Sequence, residues 1–265
     1  LGQGRMGIVI EAYDPVLGRS VALKVVSHAQ EAEHDAMARF LVEARLAAQL
    51  AHPGLIPVHD IGVTEDGLFF LVMEKVEGRT LEQTVSALQR GDPAAMRKWT
   101  LPRLIAALIQ VCRTVGHAHR HRVVHRDLTP ASVLLGDHDE VMVLDWRLAR
   151  VPETPDHASR RPLWTVVDDP SIPPSRVRPS VSPGYAAPEL ALPSMGAVDA
   201  RSDVFSLGAI LYRALTLRRP WPGMVGKSLL HEVVSGPPQD PIELAPERAI
   251  PPAVSAVALY CMRPD

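Results

Sequence analysis

The chain has 265 residues, 46% of them hydrophobic and 22% charged, with a net charge of −2 at neutral pH. This is enough to bury a sizeable core in one domain or two lobes. The balanced charge gives no reason to expect a nucleic-acid-binding or membrane-surface face.

Residues 1–27 read as strands. Ile8-Val9-Ile10 and Val21–Val26 are rich in β-branched side chains, and Asp14-Pro15 with Gly18 supply a turn between them. From Asp35 to Ala51 the period becomes helical, with Phe40, Ala44, Ala47, Ala48 and Ala51 on one stripe, ended by His52-Pro53-Gly54. Two more strands are expected around Gly54–Gly62 and Leu68–Met73, joined by a turn at Asp66-Gly67. Glu77-Gly78 marks a connector, and beyond it the chain reads as mostly helical. Thr100 and Pro102 suit a helix start, and Leu104, Leu108, Val111 and Val115 form its buried stripe. Residues 150–184 crowd Pro, Arg, Ser and Asp without periodicity, which predicts a long exposed loop. A helix near Asp203–Leu217 follows, and the remainder is punctuated by proline.

Chemistry concentrates in a few places. Gly2, Gly4 and Gly7 let backbone amides approach phosphate oxygens closely, because no Cβ intervenes. The same spelling occurs in dinucleotide-binding turns, but those need a helix after the glycines. Here another strand follows, carrying Lys24 amid Val21, Leu23 and Val25. A lysine in such a strand needs a partner, and Glu43 on the following helix is the natural one. Downstream, His125-Arg126-Asp127 is followed by the apolar run Val141–Leu144 and then Asp145. One acid in a loop and a second after an apolar strand can hold a hydroxyl nucleophile beside metal-bound phosphates.

In order, these motifs resemble a eukaryotic-type serine/threonine protein kinase of the kind found in bacteria, and the resemblance covers nearly the whole chain. It implies an α+β, two-lobed protein-kinase-like fold: a small antiparallel β-sheet lobe with one long helix (1–76), and a larger, mainly helical lobe (77–265). An activation segment would span 145–189. By the same resemblance, ATP with Mg2+ or Mn2+ is the cofactor, and a protein bearing Ser or Thr is the substrate. Asp127 would be the catalytic base. Lys24, held by Glu43, would contact the phosphates, and Asp145 would bind the metal with Ser132 beside it. Gly2, Gly4, Gly7, Val9 and Ala22 would enclose the nucleotide, with Glu74 and Val76 offering backbone groups to adenine and Met73 as gatekeeper. Arg126 would grip a phosphate on the activation loop. Ser182, in the run Ser182–Glu189, would hydrogen-bond the catalytic acid. Asp203 would tie down the backbone of the catalytic loop.

Several positions depart from the family. Thr129 stands for the lysine that neutralises the γ-phosphate, Ser132 for a metal-binding asparagine, and Arg147 for the glycine after Asp145-Trp146. Arg122 likewise occupies a place often held by glycine. The resemblance therefore leaves two readings open: a kinase, with activity weakened by these changes, or a pseudokinase acting as an ATP-binding or interaction module. Thr154, Ser159, Thr165, Ser171, Ser175 and Ser180 are hydroxyls of the long loop available for phosphorylation.

Two other patterns are read as incidental. Gly223–Ser228 lacks the first glycine of a P-loop, and the helical His117 and His121 lack an acid or Cys at metal spacing. Cys112 and Cys261 are expected to be buried free thiols, which suits a cytoplasmic setting. No apolar run approaches the ~18 residues of a membrane span, and no signal peptide is visible. The chain opens inside the glycine motif and stops without a helix end signal, so a fragment of a longer protein is expected, with a membrane tether outside it left open.

Overall fold

The computed structural model describes residues 2–4, 7–26, 44–146, 149, 184–191, 195–223 and 226–263. Near the start, β1 (Gly2–Gly4), β2 (Gly7–Asp14), β3 (Arg19–Val26), β4 (Val58–Val63) and β5 (Phe69–Glu74) form an antiparallel sheet in the order β1-β2-β3-β5-β4. The β2–β3 turn closes as its residues predict. Asp14 accepts the amides of Val16 and Leu17 at 3.0 and 3.1 Å, and Gly18 takes φ +66°. The first strand expected after His52-Pro53-Gly54 begins later, at Val58. Leu55 instead makes a single bridge to Val143.

Beyond the connector, β6 (Gly78–Thr80) pairs with β7 (Val133–Gly136), which pairs with β8 (Val141–Val143). The α-helices described beyond the connector are α1 (Leu81–Gln89), α2 (Pro93–Lys98), α3 (Leu101–Arg120), α4 (Pro188–Ala191), α5 (Ala200–Thr216), α6 (Gly226–Ser235), α7 (Pro241–Leu244) and α8 (Pro252–Cys261). Several of them start on a capping side chain. Thr80 and Gln83 make a reciprocal box at α1, while Asp92 and Asp199 cap α2 and α5. The result is the expected α+β architecture of a small sheet unit and a larger helical one.

One core dominates the helical part, and the stripe Leu104, Leu108, Val111 and Val115 of α3 lies at its centre. The helical segment at 44–49 reaches the same core through Leu46, with Leu50 just beyond its end. Its buried stripe differs from the expected one: Ala44, Leu46 and Leu50 are buried, whereas Ala48 and Ala51 are exposed. The two leucines, four apart, have far more apolar area to remove from water than the alanines, and they set the phase. Gly54 sits so close to α3 that a Cβ there would lie 1.9 Å from Thr114 Oγ1. That closeness lets the 52–55 segment dock. Both cysteines are free, as expected, but Cys112 is exposed and Cys261 only half-buried. They sit on outward-turned parts of α3 and α8.

Candidate active site

Lys24 occupies the middle of β3, opposite Val9 on one side and Leu71 on the other. Its side chain is only 13% exposed, and a cation so placed needs a counter-charge. Its Nζ stands 3.5 Å from Asp145 Oδ1, which belongs to a carboxylate that is 52% exposed. The pair joins the sheet unit to the loop after β8.

Asp145 has φ +62°, a left-handed conformation that aspartate tolerates better than most residues. The strand before it is pinned from several sides. Val143 donates its amide to the Gly54 carbonyl, and Leu144 donates to Ser132, each at 2.8 Å. The Trp146 indole donates back to the Val143 carbonyl at 3.1 Å, and its ring lies 4.7 Å from that of His125.

His125 is fully buried and ties two loops together. Its Nε2 lies 2.9 Å from the Leu144 carbonyl, which can only accept. Its Nδ1 receives the Asp127 amide at 3.3 Å. The ring therefore carries its proton on Nε2 and accepts at Nδ1. One imidazole thus connects the residue before Asp145 to the amide of Asp127, which is itself 8% exposed.

Beneath this loop lies Asp203, near the start of α5 and 0% exposed. Its Oδ2 accepts the His125 amide and Oδ1 the Arg126 amide, both at 2.8 Å. His119 Nε2, on α3, donates to Oδ2 at 2.8 Å. Arg126 is held in a left-handed conformation, φ +71°. A buried carboxylate with three donors is well compensated, and it fixes the turn that aims Asp127.

The remaining expected residues fall as follows. Gly2, Gly4 and Gly7 lie in the β1–β2 hairpin, with Gly2 opposite Val9 and Gly4 opposite Gly7. Ala22 is buried opposite Met73. Glu74 ends β5, its amide donating to the Pro57 carbonyl at 3.0 Å, and Val76 is half-buried in the connector. Glu43, Arg147 and Ser182, with the six loop hydroxyls named above, lie outside the described residues.

Ser132 is bound into its own loop. Its hydroxyl donates to the Thr129 carbonyl and accepts the Thr129 amide, both at 2.9 Å, and the residue is 3% exposed. These two bonds brace the turn and leave the hydroxyl one further acceptor lone pair. Asp145 is different. Its half-exposed carboxylate offers the hard oxygen donors that magnesium and manganese favour.

Sequence reasoning also missed the indole of Trp146 and the carbonyl of Leu144 as parts of the tether, because their roles depend on where His125 arrives. Further along, Ser202 donates to the Glu189 carboxylate at 2.5 Å, and burial pushes the Tyr185 phenol up to about 12. A cavity of about 300 Å³ between Glu189, Phe205, Tyr260 and Arg263 shares no residue with the Lys24–Asp145 cleft. Among the described residues, no helix is long and apolar enough to cross a membrane.

A sheet carrying a lysine over a helical unit, with two loop acids joined through one imidazole, defines a phosphotransferase of the two-lobed kind. The chain belongs to the protein kinase domain family, whose model matches residues 1–255. It is 34% identical over 274 residues to the serine/threonine-protein kinase PknD of Chlamydia felis, covering 100% of this chain and 28% of that protein. It is 36% identical over 263 residues to the DNA damage-responsive serine/threonine-protein kinase RqkA of Deinococcus radiodurans, covering 99% of this chain and 35% of that one. PknD of Protochlamydia amoebophila is 32% identical over 274 residues, covering 100% of this chain and 27% of the relative. The chain thus spans about a third or less of the curated relatives it matches. Members of this family use ATP with a divalent cation.

Proposed function

We propose that this domain transfers the γ-phosphoryl group of ATP to a serine or threonine hydroxyl of a protein substrate. The observation that carries the reading is the 3.5 Å approach of Lys24 to Asp145, with Asp127 tethered alongside through His125. In the reaction the substrate oxygen bonds to the γ-phosphorus and the bond to the β–γ bridging oxygen breaks. The substrate proton passes to Asp127, leaving ADP and a phosphoprotein. A divalent cation held by Asp145 would neutralise charge on the phosphate oxygens.

Each residue then has a stated task. Lys24 holds the α- and β-phosphates, with Glu43 as its helix partner. Gly2, Gly4 and Gly7 bring backbone amides over the phosphates, Val9 and Ala22 enclose the base, and Glu74 and Val76 offer it backbone groups. Ser132 braces the turn between Thr129 and β7, while Arg126 receives a phosphate from the activation segment and Ser182 orients Asp127. The sheet unit spans 1–76 and the helical unit 77–265. Catalysis of this type is mostly positioning and charge stabilisation, so the missing lysine at Thr129 lowers the rate without removing the reaction.

The test is a phosphotransfer assay with labelled ATP, magnesium or manganese, and a generic basic protein, run beside Asp127→Asn. Transfer by the wild type that disappears in the variant supports the proposal. Stabilisation of the fold by ATP without any transfer would establish the pseudokinase reading.

A further inference from the structure

The connector between the two units carries an ion cluster that the reaction does not use. Lys75 follows the last residue of β5, and its Nζ lies 2.8 Å from Glu11 Oε1 and 3.2 Å from Glu77 Oε1. The lysine side chain is 19% exposed, against 47% for Glu11 and 71% for Glu77.

The two carboxylates belong to different units. Glu11 lies on β2, opposite Ala22, so it moves with the glycine-bearing hairpin. Glu77 immediately precedes β6, and its carbonyl accepts the Asp137 amide at 3.0 Å. The next residue, Gly78, pairs with Gly136 of β7. Glu77 is therefore anchored to the helical unit. One ammonium bridges the hairpin on one side of the cleft and the base of the other unit.

The arrangement is charged on both sides. Donating hydrogen bonds to Glu11 and then Glu77 raises the Lys75 pKa above its ordinary value, and Lys75 in turn lowers that of Glu11. The ammonium has three N–H groups in compact geometry, enough for two carboxylates at once.

We propose that Lys75 is a positioning residue, stapling the β2 hairpin to the helical unit so that the cleft is held closed around bound nucleotide. This inference rests on the proposed function, since it assigns a role at the same nucleotide site. A cleft that stays closed is preorganised, so affinity rises by the fraction of molecules already competent to bind. Release slows for the same reason, because the hairpin must swing away before the nucleotide leaves. Exposed ion pairs are individually weak and screened by salt, so the effect is modest and ionic-strength dependent.

The test measures binding of a non-hydrolysable ATP analogue with magnesium to the intact protein, by calorimetry and stopped flow, at about 50 mM and about 500 mM salt. Lys75→Met keeps the aliphatic stem, Glu11→Gln removes one carboxylate, and Lys75→Arg keeps the charge. The expected result is a Kd and a release rate about three- to tenfold higher in Lys75→Met at low salt. Glu11→Gln should show a smaller rise, Lys75→Arg should approach the wild type, and the salt dependence should be shallower in Lys75→Met. Peptide KM should be unchanged, and thermal melting should confirm that each variant folds. If the wild type binds the analogue and Lys75→Met binds it equally well at both salt concentrations, the staple is refuted while the nucleotide site stands. If the wild type does not bind the analogue, the proposed function fails, and the staple with it.

Discussion

Asp203 holds His125 in place through a single contact, the His125 amide donating to Asp203 Oδ2 at 2.8 Å. Because the ring of that histidine reaches Leu144 and Asp127, a carboxylate on α5 controls the geometry of two acids it does not touch. Asp203→Ala would strand the amides of His125 and Arg126 and the Nε2 proton of His119. The expected cost is about 3–5 kcal/mol of stability, read from a denaturant midpoint, together with loss of phosphotransfer.

Asp127→Asn removes the proton acceptor and leaves the amide bond to His125 intact. Phosphotransfer should fall about 10²–10⁴-fold while the affinity for ATP stays the same. Single-turnover assays beside calorimetry will separate the two, and parallel losses in both would assign Asp127 to binding.

In the proposed reaction Thr129 takes the place of a cation facing the transferring phosphate. Thr129→Lys should raise the rate by up to about 10²-fold, the value of one well-placed donor. A steady-state assay checks this, and an unchanged rate would locate the deficit elsewhere.

Arg122 follows α3 with φ +61°. Its amide bonds the His119 carbonyl at 2.8 Å, and that of Val123 bonds Ala118 at 2.9 Å, closing the helix with the left-handed turn usually given to glycine. Arg122→Gly should therefore stabilise the domain by about 1 kcal/mol, seen as a higher denaturant midpoint without a change in slope.

His52, His117 and His121 lie in a row with their rings tilted to one another, centroids 4.9 and 4.5 Å apart. Burial lowers the pKa of His52 and of His117, and Arg120 adds to it in both cases, with His121 and His52 contributing at His117. Depressed histidines bind fewer protons folded than unfolded, so stability is fully present above the ordinary histidine range. It is lost as pH falls through that range toward the folded values. The melting temperature should drop between about pH 7.5 and pH 5.5. His117→Phe should flatten that slope, and an equally steep slope in the variant would move the cause to other groups.

Much of the fold was legible because it follows local periods. The stripe of α3 repeats every three to four residues, the paired strands carry β-branched runs, and Asp14 with Gly18 spells its own turn. The helix at 44–49 was misphased because its alanines are too small to dictate which face is buried, while Leu46 and Leu50 are not. For the site, spacing and resemblance named the acids and Lys24.

The order of the chain was enough to place this protein among the kinases and to nominate Lys24, Asp127 and Asp145, because those side chains stand in short motifs with fixed offsets. Folding alone decided that the Lys24 ammonium meets Asp145, that the ring proton of His125 points to Leu144, and that Ser132 turns inward onto Thr129. It also decided that Lys75 reaches both Glu11 and Glu77. Most of these contacts join polar groups brought together from distant segments, and even Ser132's turn toward Thr129 is a choice of hydroxyl direction. A hydrogen bond or ion pair of that kind has no period along the chain, and only the packing of the apolar core sets which polar atoms come within reach.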